Sequence, residues 1–160
     1  MNRMNRIWSL VVVITIAIAG CKKDDTNSNC PSVNVSAPAS EVANLKAYLD
    51  ANNIVATADA RGFFYSIKTP GSAAKPTVCQ TVTVGYAGKF TNGQIFDSSP
   101  GVTFSLSNLI TGWKEGIPLI GTGGSIVLYL PPSLAYGSGG YGSIPPNSNL
   151  IFTIDLKSFY

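Results

Sequence analysis

The chain contains no histidine, only three cysteines and few charged residues. Charged side chains make up 12% of its 160 residues, and the formal net charge is +3 at pH 7. Without histidine, no imidazole can act as a general base or complete a nucleophile–histidine pair. The scattered cysteines also argue against a zinc site. We therefore expect neither a metal nor another cofactor.

Two binding motifs are also missing. Beyond the first 20 residues, only Lys22-Lys23 places two basic residues side by side, so the chain lacks the basic patch that nucleic-acid binding requires and we expect no nucleic-acid partner. The glycine-rich residues 121–124 are not followed by the Lys-Ser/Thr of a phosphate-binding loop and precede a strand pattern. The length allows one ordinary domain, a targeting segment and a short extension.

Residues 1–20 have the pattern of a secretion signal. Arg3 and Arg6 precede an apolar run over residues 7–19, which is shorter than the roughly 20 residues that span a bilayer. The following Ile18–Cys21 motif resembles the lipobox of bacterial lipoproteins, in which the cysteine thiol receives the lipid. An ordinary cleaved signal and an uncleaved anchor are the alternatives. The lipoprotein interpretation implies a membrane anchor through Cys21.

Residues 21–39 are rich in Asn, Ser, Asp and Pro, and this composition predicts a flexible tether. The Lys22–Asp25 run resembles the acidic signal that sends some Bacteroidetes lipoproteins to the cell surface, although a solvated linker would look the same. We expect the protein in the cell envelope, lipid-anchored in the outer membrane and facing either the periplasm or the cell surface.

Cys30 and Cys79 remain once Cys21 is assigned to the lipid. Two thiols in an oxidising compartment are candidates for a disulfide, which would fasten the tether to the first long strand. The competing interpretation is two separate thiols, with Cys79 packed as a small apolar residue.

Residues 40–61 are predicted to form an N-terminal helix and a linker. The helix begins near Ser40, with Ser40 or Ala39 as its cap, and its apolar residues Val42, Leu45 and Leu49 recur at helical spacing. Such a stripe packs against the adjacent domain or, alternatively, serves as a dimerisation face. We favour packing and expect a monomer.

From Gly62 onwards the pattern is one of strands. We predict strands over residues 63–67, 78–90, 94–97, 102–106, 125–130 and 150–159, with turns at 69–71 and 91–93. The only internal helix candidate covers residues 108–116. Many strands and one short helix predict an α+β fold in which an antiparallel sheet wraps around a central helix.

Four segments at this spacing are similar to the FKBP family of peptidyl-prolyl isomerases. They are Val84–Gly88, Gly93–Ser99, Leu109–Gly116, and Leu134–Gly137 leading to Ile144–Asn147, and residues 149–156 match the family's last strand. The resemblance covers residues 62–160 and implies an FKBP-like domain over that range.

The resemblance also implies a half-open aromatic pocket with a tryptophan of the central helix as its floor. The catalytic residues carried over by motif are Tyr86, Phe96, Asp97, Trp113, Tyr136 and Phe152. Further substrate-binding positions are Val102, Leu109, Ile110, Tyr141 and Ile144. Each aromatic residue alone would more often be part of the core.

Three positions have specific consequences for the pocket, and two of them depart from the family pattern. Val102 occupies a position where the family often has an aromatic residue, which predicts a thinner wall. Asp97 should lie at the pocket edge beside Tyr86 and also begin a turn through Pro100. The glycine-rich loop with Tyr141 predicts an adaptable rim.

The resemblance implies that the chain isomerises X-Pro bonds in unfolded or exported polypeptides, and that macrolide inhibitors would bind the pocket. Such catalysis requires no metal or cofactor, because an apolar pocket favours the twisted amide over the planar one. Two other functions are open: a non-catalytic FKBP-like peptide-binding or chaperone module, and a surface-exposed interaction lipoprotein.

Overall fold

A computed structural model describes residues 34–160 of the chain. The predicted signal, most of the tether, Cys21 and Cys30 lie outside these residues. Within them, no helix has the length and apolar character needed to cross a membrane.

The described chain consists of two α-helices, six strands and three short 3-10 turns. In chain order they are α1 (Ala39–Ala51), β1 (Thr57–Ala58), β2 (Phe64–Thr69), β3 (Thr81–Phe90), β4 (Ile95–Ser105), a 3-10 turn (Leu106–Asn108), α2 (Thr111–Gly116), a 3-10 turn (Ile117–Leu119), β5 (Ser125–Leu130), a 3-10 turn (Pro132–Leu134) and β6 (Leu150–Phe159). The strands form one antiparallel sheet in the order β1-β2-β5-β6-β3-β4. The predicted α+β fold with one short central helix and an N-terminal helix is confirmed.

One helix lies on each face of the sheet. Successive residues of a strand point to opposite faces, so a single strand can contact both helices. On β5, Ile126, Leu128 and Leu130 belong to the main core with Trp113 of α2. Tyr129, between two of them, belongs to a second cluster with residues of α1. The same strand therefore serves two apolar layers.

Two glycines let α2 lie directly against β5. A Cβ atom at Gly112 would be 2.4 Å from the Leu130 methyl groups, and one at Gly116 would be 2.5 Å from a Leu128 methyl group. Both distances are below any tolerable carbon–carbon contact. The helix can approach the sheet this closely only because these positions lack side chains, and that approach sets the depth of Trp113.

The apolar stripe of α1 is buried within the chain itself. Leu45 and Leu49 are buried against Phe64, Tyr129 and Ile151 on the outer face of the sheet. This arrangement supports the packing interpretation over the dimerisation interpretation. The helix begins one residue earlier than predicted, with Pro38 as its N-cap, and the Pro38 carbonyl accepts the first backbone hydrogen bonds of the helix.

The predicted turn from Asp97 to Pro100 is wrong. Residues 95–105 form one continuous strand, in which Asp97 pairs with Gly88 and Ser99 pairs with Tyr86. Turn-forming residues fit here because β4 is an edge strand and the register shift after Val84 places Pro100-Gly101 in a bulge.

Other boundaries also differ from the predictions, among them that of β2, which extends to Thr69 rather than residue 67. β3 begins at Thr81 rather than residue 78, because a turn closed by the Thr77–Gln80 backbone hydrogen bond precedes it. The predicted helix over 108–116 is divided into a 3-10 turn and α2. The two-residue strand β1 lies in the segment predicted as linker, where so short a strand has no periodicity to detect.

Candidate functional site

Trp113 forms the floor of an open cavity of about 380 Å³. Its indole ring is almost fully buried and makes edge-to-face contacts with Tyr86 of β3, Phe104 of β4 and Phe152 of β6, at centroid distances of 5.2, 6.2 and 5.3 Å. Edge-to-face packing fixes ring orientation more firmly than area burial alone. Three strands and one helix thus hold a rigid aromatic floor.

The other walls come from the β3–β4 hairpin and two loops. The residues that line the cavity are Tyr86, Phe96, Asp97, Phe104, Asn108, Leu109, Ile110, Trp113, Tyr136, Tyr141 and Phe152.

Gly88 allows the hairpin wall to form. Phe96 and Phe152 meet edge to face at 5.7 Å, and both rings lie over the Gly88 backbone. A Cβ atom at Gly88 would be 2.6 Å from the Phe96 ring and 2.9 Å from the Phe152 ring. Any larger residue in this strand position would push the two rings out of the cavity.

Tyr86 and Asp97 form the polar edge of the cavity. The Tyr86 hydroxyl donates a 2.5 Å hydrogen bond to Oδ2 of Asp97. Burial and this hydrogen bond to the carboxylate raise the pKa of Tyr86 to about 12. The phenol therefore remains protonated at neutral pH and keeps the carboxylate in one orientation.

Tyr136 and Tyr141 form the opposite rim. Their rings stack with centroids 5.1 Å apart and an interplanar angle of 14°. Burial raises the pKa of Tyr136, so that its hydroxyl remains a donor at neutral pH. Tyr141 is 69% exposed. Its backbone exchanges two hydrogen bonds with Ile144 around Gly142 and Ser143, which gives the glycine-rich loop a defined hairpin geometry.

Nine of the eleven residues predicted for the site line this one cavity, and two do not. Val102 pairs with Val84 and packs against the core, and Ile144 is buried in the core cluster. Phe104 and Asn108 line the cavity without having been predicted. Strand alternation could have identified Phe104, because it lies two positions after Val102 and so faces the same side. Its ring supplies the wall that Val102 was expected to leave thin.

The chemistry of the cavity is apolar at its base and polar at its rim. Over the described residues 34–160, no group of His, Cys, Asp and Glu side chains is placed to hold a metal ion. The Trp113 indole N–H is buried and has no hydrogen-bond partner in this part of the chain. Such a site can remove water from an apolar group and hold a neighbouring carbonyl through hydroxyl donors. It has no nucleophile–base pair for covalent catalysis.

A short helix beneath an antiparallel sheet, with an open aromatic cavity between them, defines a small α+β domain whose cavity has the shape and lining to hold an apolar group. The family model for FKBP-type peptidyl-prolyl cis-trans isomerases matches residues 72–157. The chain belongs to this family.

Known relatives agree with this assignment. The FKBP-type peptidyl-prolyl cis-trans isomerase FkpA of Aeromonas hydrophila is 41% identical over 99 residues, which cover 59% of this chain and 37% of the relative. The crystal structure of FkpA from Escherichia coli matches with a TM-score of 0.69 and 35% identity, covering 76% of this chain and 60% of that one. A peptidyl-prolyl cis-trans isomerase structure from Pseudomonas syringae pv. tomato matches with a TM-score of 0.66 and 29% identity, covering 78% and 98%. This chain therefore spans well under half the length of the Aeromonas relative.

Proposed function

We propose that the chain is a peptidyl-prolyl cis-trans isomerase that assists the folding of exported or cell-envelope proteins. The observation that carries this proposal is the cavity over Trp113, in which five further aromatic side chains surround an apolar base and Tyr86–Asp97 forms a fixed polar edge. The cavity is large enough for a proline ring and open enough for the polypeptide on either side of it.

The proposed mechanism follows from the electronic structure of the amide. Resonance gives the X-Pro bond partial double-bond character, and its cis and trans forms exchange over tens to hundreds of seconds without catalysis. Twisting the bond reduces the amide dipole, so a water-poor cavity stabilises the twisted state relative to the planar one. Binding that strengthens in the twisted state is what accelerates the exchange.

Each lining residue has a proposed role in that mechanism. Phe96, Trp113 and Phe152 bind the proline ring and exclude water. The Tyr136 hydroxyl donates a hydrogen bond to a substrate carbonyl, and Asp97 orients the polar side of the substrate without acting as a base. Leu109 and Ile110 contact the peptide at the entrance to α2.

Tyr141 is the residue that we propose to influence sequence preference. Its exposed ring lies at the cavity rim and is supported from behind by Tyr136. An aromatic or aliphatic residue next to proline would gain contact area on this ring. Because macrolide inhibitors would occupy the same cavity, we expect them to compete with such peptides.

We also propose that Cys21 carries a lipid that anchors the protein in the cell envelope, with residues 1–20 as its signal, residues 21–39 as its tether and residues 62–160 as the isomerase domain. The Ile18–Cys21 motif supports the anchor. Protease treatment and surface labelling of intact cells distinguish a cell-surface location from a periplasmic one.

A disulfide between Cys30 and Cys79 is part of the same proposal. Cys79 is disulfide-bonded, and Cys30 lies outside the described residues. Replacing Cys30 with Ser should lower the melting temperature under oxidising conditions only. An unchanged melting temperature, with Cys79 still protected from alkylation, would assign the bond to another cysteine.

The test of the function is the cis/trans exchange of short X-Pro peptides, measured by NMR with the full chain in detergent. Exchange that is faster with the protein, and is slowed again by a macrolide, supports an isomerase. Peptide binding without faster exchange, from a folded protein, would support the non-catalytic binding module instead.

A further inference from the structure

Residues 37–63 precede the region matched by the family model, which begins at residue 72. Nevertheless, this segment contacts two of the elements that carry cavity residues. One contact reaches the loop before Tyr136, and the other reaches helix α2, which carries Trp113.

The first contact is made by Glu41, in the first turn of α1. Its Oε2 atom accepts a 2.9 Å hydrogen bond from the backbone N–H of Ser133, which is 92 positions away in sequence. Ser133 lies in the 3-10 turn Pro132–Leu134, and the first N–H groups of such a turn have no partner within it. The Glu41 carboxylate therefore caps this turn with a partly buried, charge-assisted hydrogen bond.

Hydrogen bonds to the capped turn fix the backbone of the two residues that flank Tyr136. The Pro132 carbonyl accepts hydrogen bonds from the N–H groups of Ala135, at 2.9 Å, and Gly137, at 2.8 Å. Tyr136 lies between these two donors. A displacement of the 3-10 turn would consequently move the residue whose hydroxyl and ring form the cavity rim.

The second contact is made by Arg61. Its guanidinium forms two hydrogen bonds with the Asp59 carboxylate, at 2.7 and 2.9 Å, and lies over the Phe63 ring at 5.6 Å from the centroid. The Asp59 hydrogen bonds raise the pKa of Arg61, and Arg61 in turn lowers the pKa of Asp59. Both groups are therefore charged at neutral pH.

Held in this way, Arg61 also forms an ion pair with Glu115 of α2. Glu115 is two residues after Trp113, and its side chain is only 14% exposed. An ion pair that is partly shielded from water is screened less by salt than a surface pair. The pair fixes the exposed side of α2, while Gly112 and Gly116 fix the side that lies on β5.

The two contacts belong to one folded unit. The Ala37 N–H donates a 2.8 Å hydrogen bond to the Arg61 carbonyl, which joins the start of α1 to the end of the linker. Gly62 has a φ of +96°, and a Cβ atom there would be 2.7 Å from Cγ2 of Val42. The turn that presents Arg61 therefore fits against the helix that presents Glu41.

We propose that residues 37–63 position the active site, with Glu41 and Arg61 as positioning residues for Tyr136 and Trp113 respectively. The proposal rests on the proposed isomerase function. It gives the segment a role in turnover that a simple spacer between anchor and domain would not have. Small displacements of groups that bind the transition state lower the rate strongly even when the protein remains folded.

The experiment on the first contact compares Glu41→Ala with Glu41→Gln in the full chain. Glutamine retains an acceptor oxygen for the Ser133 N–H, whereas alanine removes it. We expect Glu41→Ala to reduce kcat by roughly three- to tenfold with little change in KM, and Glu41→Gln to restore most of the loss. Lys46→Ala is the matched control, because Lys46 lies on the same helix and pairs only with exposed Asp50; it should leave kcat unchanged.

The experiment on the second contact is a double-mutant cycle between Arg61→Met and Glu115→Gln. We expect each single variant to lower kcat about threefold, and the double variant to lower it no further than the worse of the two. The Trp113 indole N–H resonance should shift in both single variants. If Arg61→Met does not fold, the kcat and the Trp113 indole resonance of Glu115→Gln alone test whether the ion pair positions Trp113.

Two outcomes would overturn the proposal. One is a lower melting temperature in these variants with kcat unchanged at temperatures where all of them are folded, since that would make the contacts purely structural. The other is an equal loss of kcat in Lys46→Ala. Absence of catalysis in the unmodified chain would refute the proposed function instead. If the unmodified chain is inactive, NMR alone tests the positioning role. That role is refuted if the resonances of Tyr136 and Trp113 do not shift in the Glu41, Arg61 and Glu115 variants.

Discussion

The two faces of the sheet use the same strands for different purposes. On the face covered by α1, Leu45 and Leu49 close the apolar layer, and little of it reaches solvent. On the face covered by α2, the helix is only six residues long and covers part of the layer, so that aromatic rings border an open cavity. An incompletely covered apolar face is what a binding site requires.

The comparison shows how a small domain can expose aromatic surface and remain folded. Burial of apolar area is the main stabilising contribution to folding, and the cavity leaves some of that area in water. Packing α1 on the opposite face adds burial that the cavity face lacks. Truncation of apolar side chains should therefore have different effects in the two layers: beneath α1 it should mainly lower stability, and beneath α2 it should lower both stability and turnover.

The largest effect is expected from Phe152→Ala on the cavity face. Phe152 is 3% exposed and contacts both Phe96 and Trp113. Its truncation should lower the free energy of unfolding by about 3–5 kcal/mol and abolish most catalysed exchange, because it removes both core volume and a cavity wall. Denaturant unfolding and NMR exchange measure the two effects. A stable but inactive variant would show that the ring contributes to the site and not to the core.

Leu45→Ala tests the opposite face. Leu45 is fully buried in the cluster on the other face of the sheet from the cavity, so its truncation should cost about 2–4 kcal/mol of stability. Turnover per folded molecule should change much less than in Phe152→Ala, provided that the assay temperature is well below the melting temperature. Thermal unfolding combined with kcat gives the comparison. A loss of kcat as large as that of Phe152→Ala would remove the distinction between the faces.

Most of the sheet could be predicted from the sequence because its strands are strongly patterned. Leu150, Phe152, Ile154 and Leu156 occupy alternate positions of β6, and the structure places all four on the face of α2. Between them, Ile151 is buried on the face of α1, and Thr153 and Asp155 are exposed. The Asn92-Gly93 turn was predictable for the same local reason, since glycine adopts the positive φ of 88° that it requires.

What could not be predicted depends on tertiary context. Pro100-Gly101 has the composition of a turn, and only its position on an edge strand makes it a bulge. The cavity wall formed by Phe104 requires knowing which face of β4 points inwards. The Glu41–Ser133 hydrogen bond joins residues 92 positions apart, and nothing local to either residue indicates it.

Asp97→Ala should affect turnover on the cavity face with little loss of stability, because Asp97 is exposed and β4 is an edge strand. The substitution removes the charged acceptor for the Tyr86 hydroxyl. We expect kcat/KM to fall about tenfold, which corresponds to one hydrogen bond with a charged group. Asp97→Asn is the control, since it retains an acceptor oxygen and should recover part of the activity. An activity equal to that of the unmodified chain would exclude Asp97 from the site.

The smallest effect concerns pH and the same hydrogen bond. The pKa of Tyr86 is raised to about 12 by burial and by Asp97. A raised pKa means that the protonated phenol stabilises the fold. This contribution is complete below about pH 10, the ordinary pKa of tyrosine, and it is lost as the pH rises towards 12. The pKa values of Tyr129 and Tyr136 are also raised by burial, so titration of the tyrosine absorbance should show several late groups, one of which is lost in Tyr86→Phe. In Asp97→Ala this group should titrate earlier, but burial should still keep it later than an exposed tyrosine. No change in Asp97→Ala would mean that burial alone keeps Tyr86 protonated and that the carboxylate does not control it.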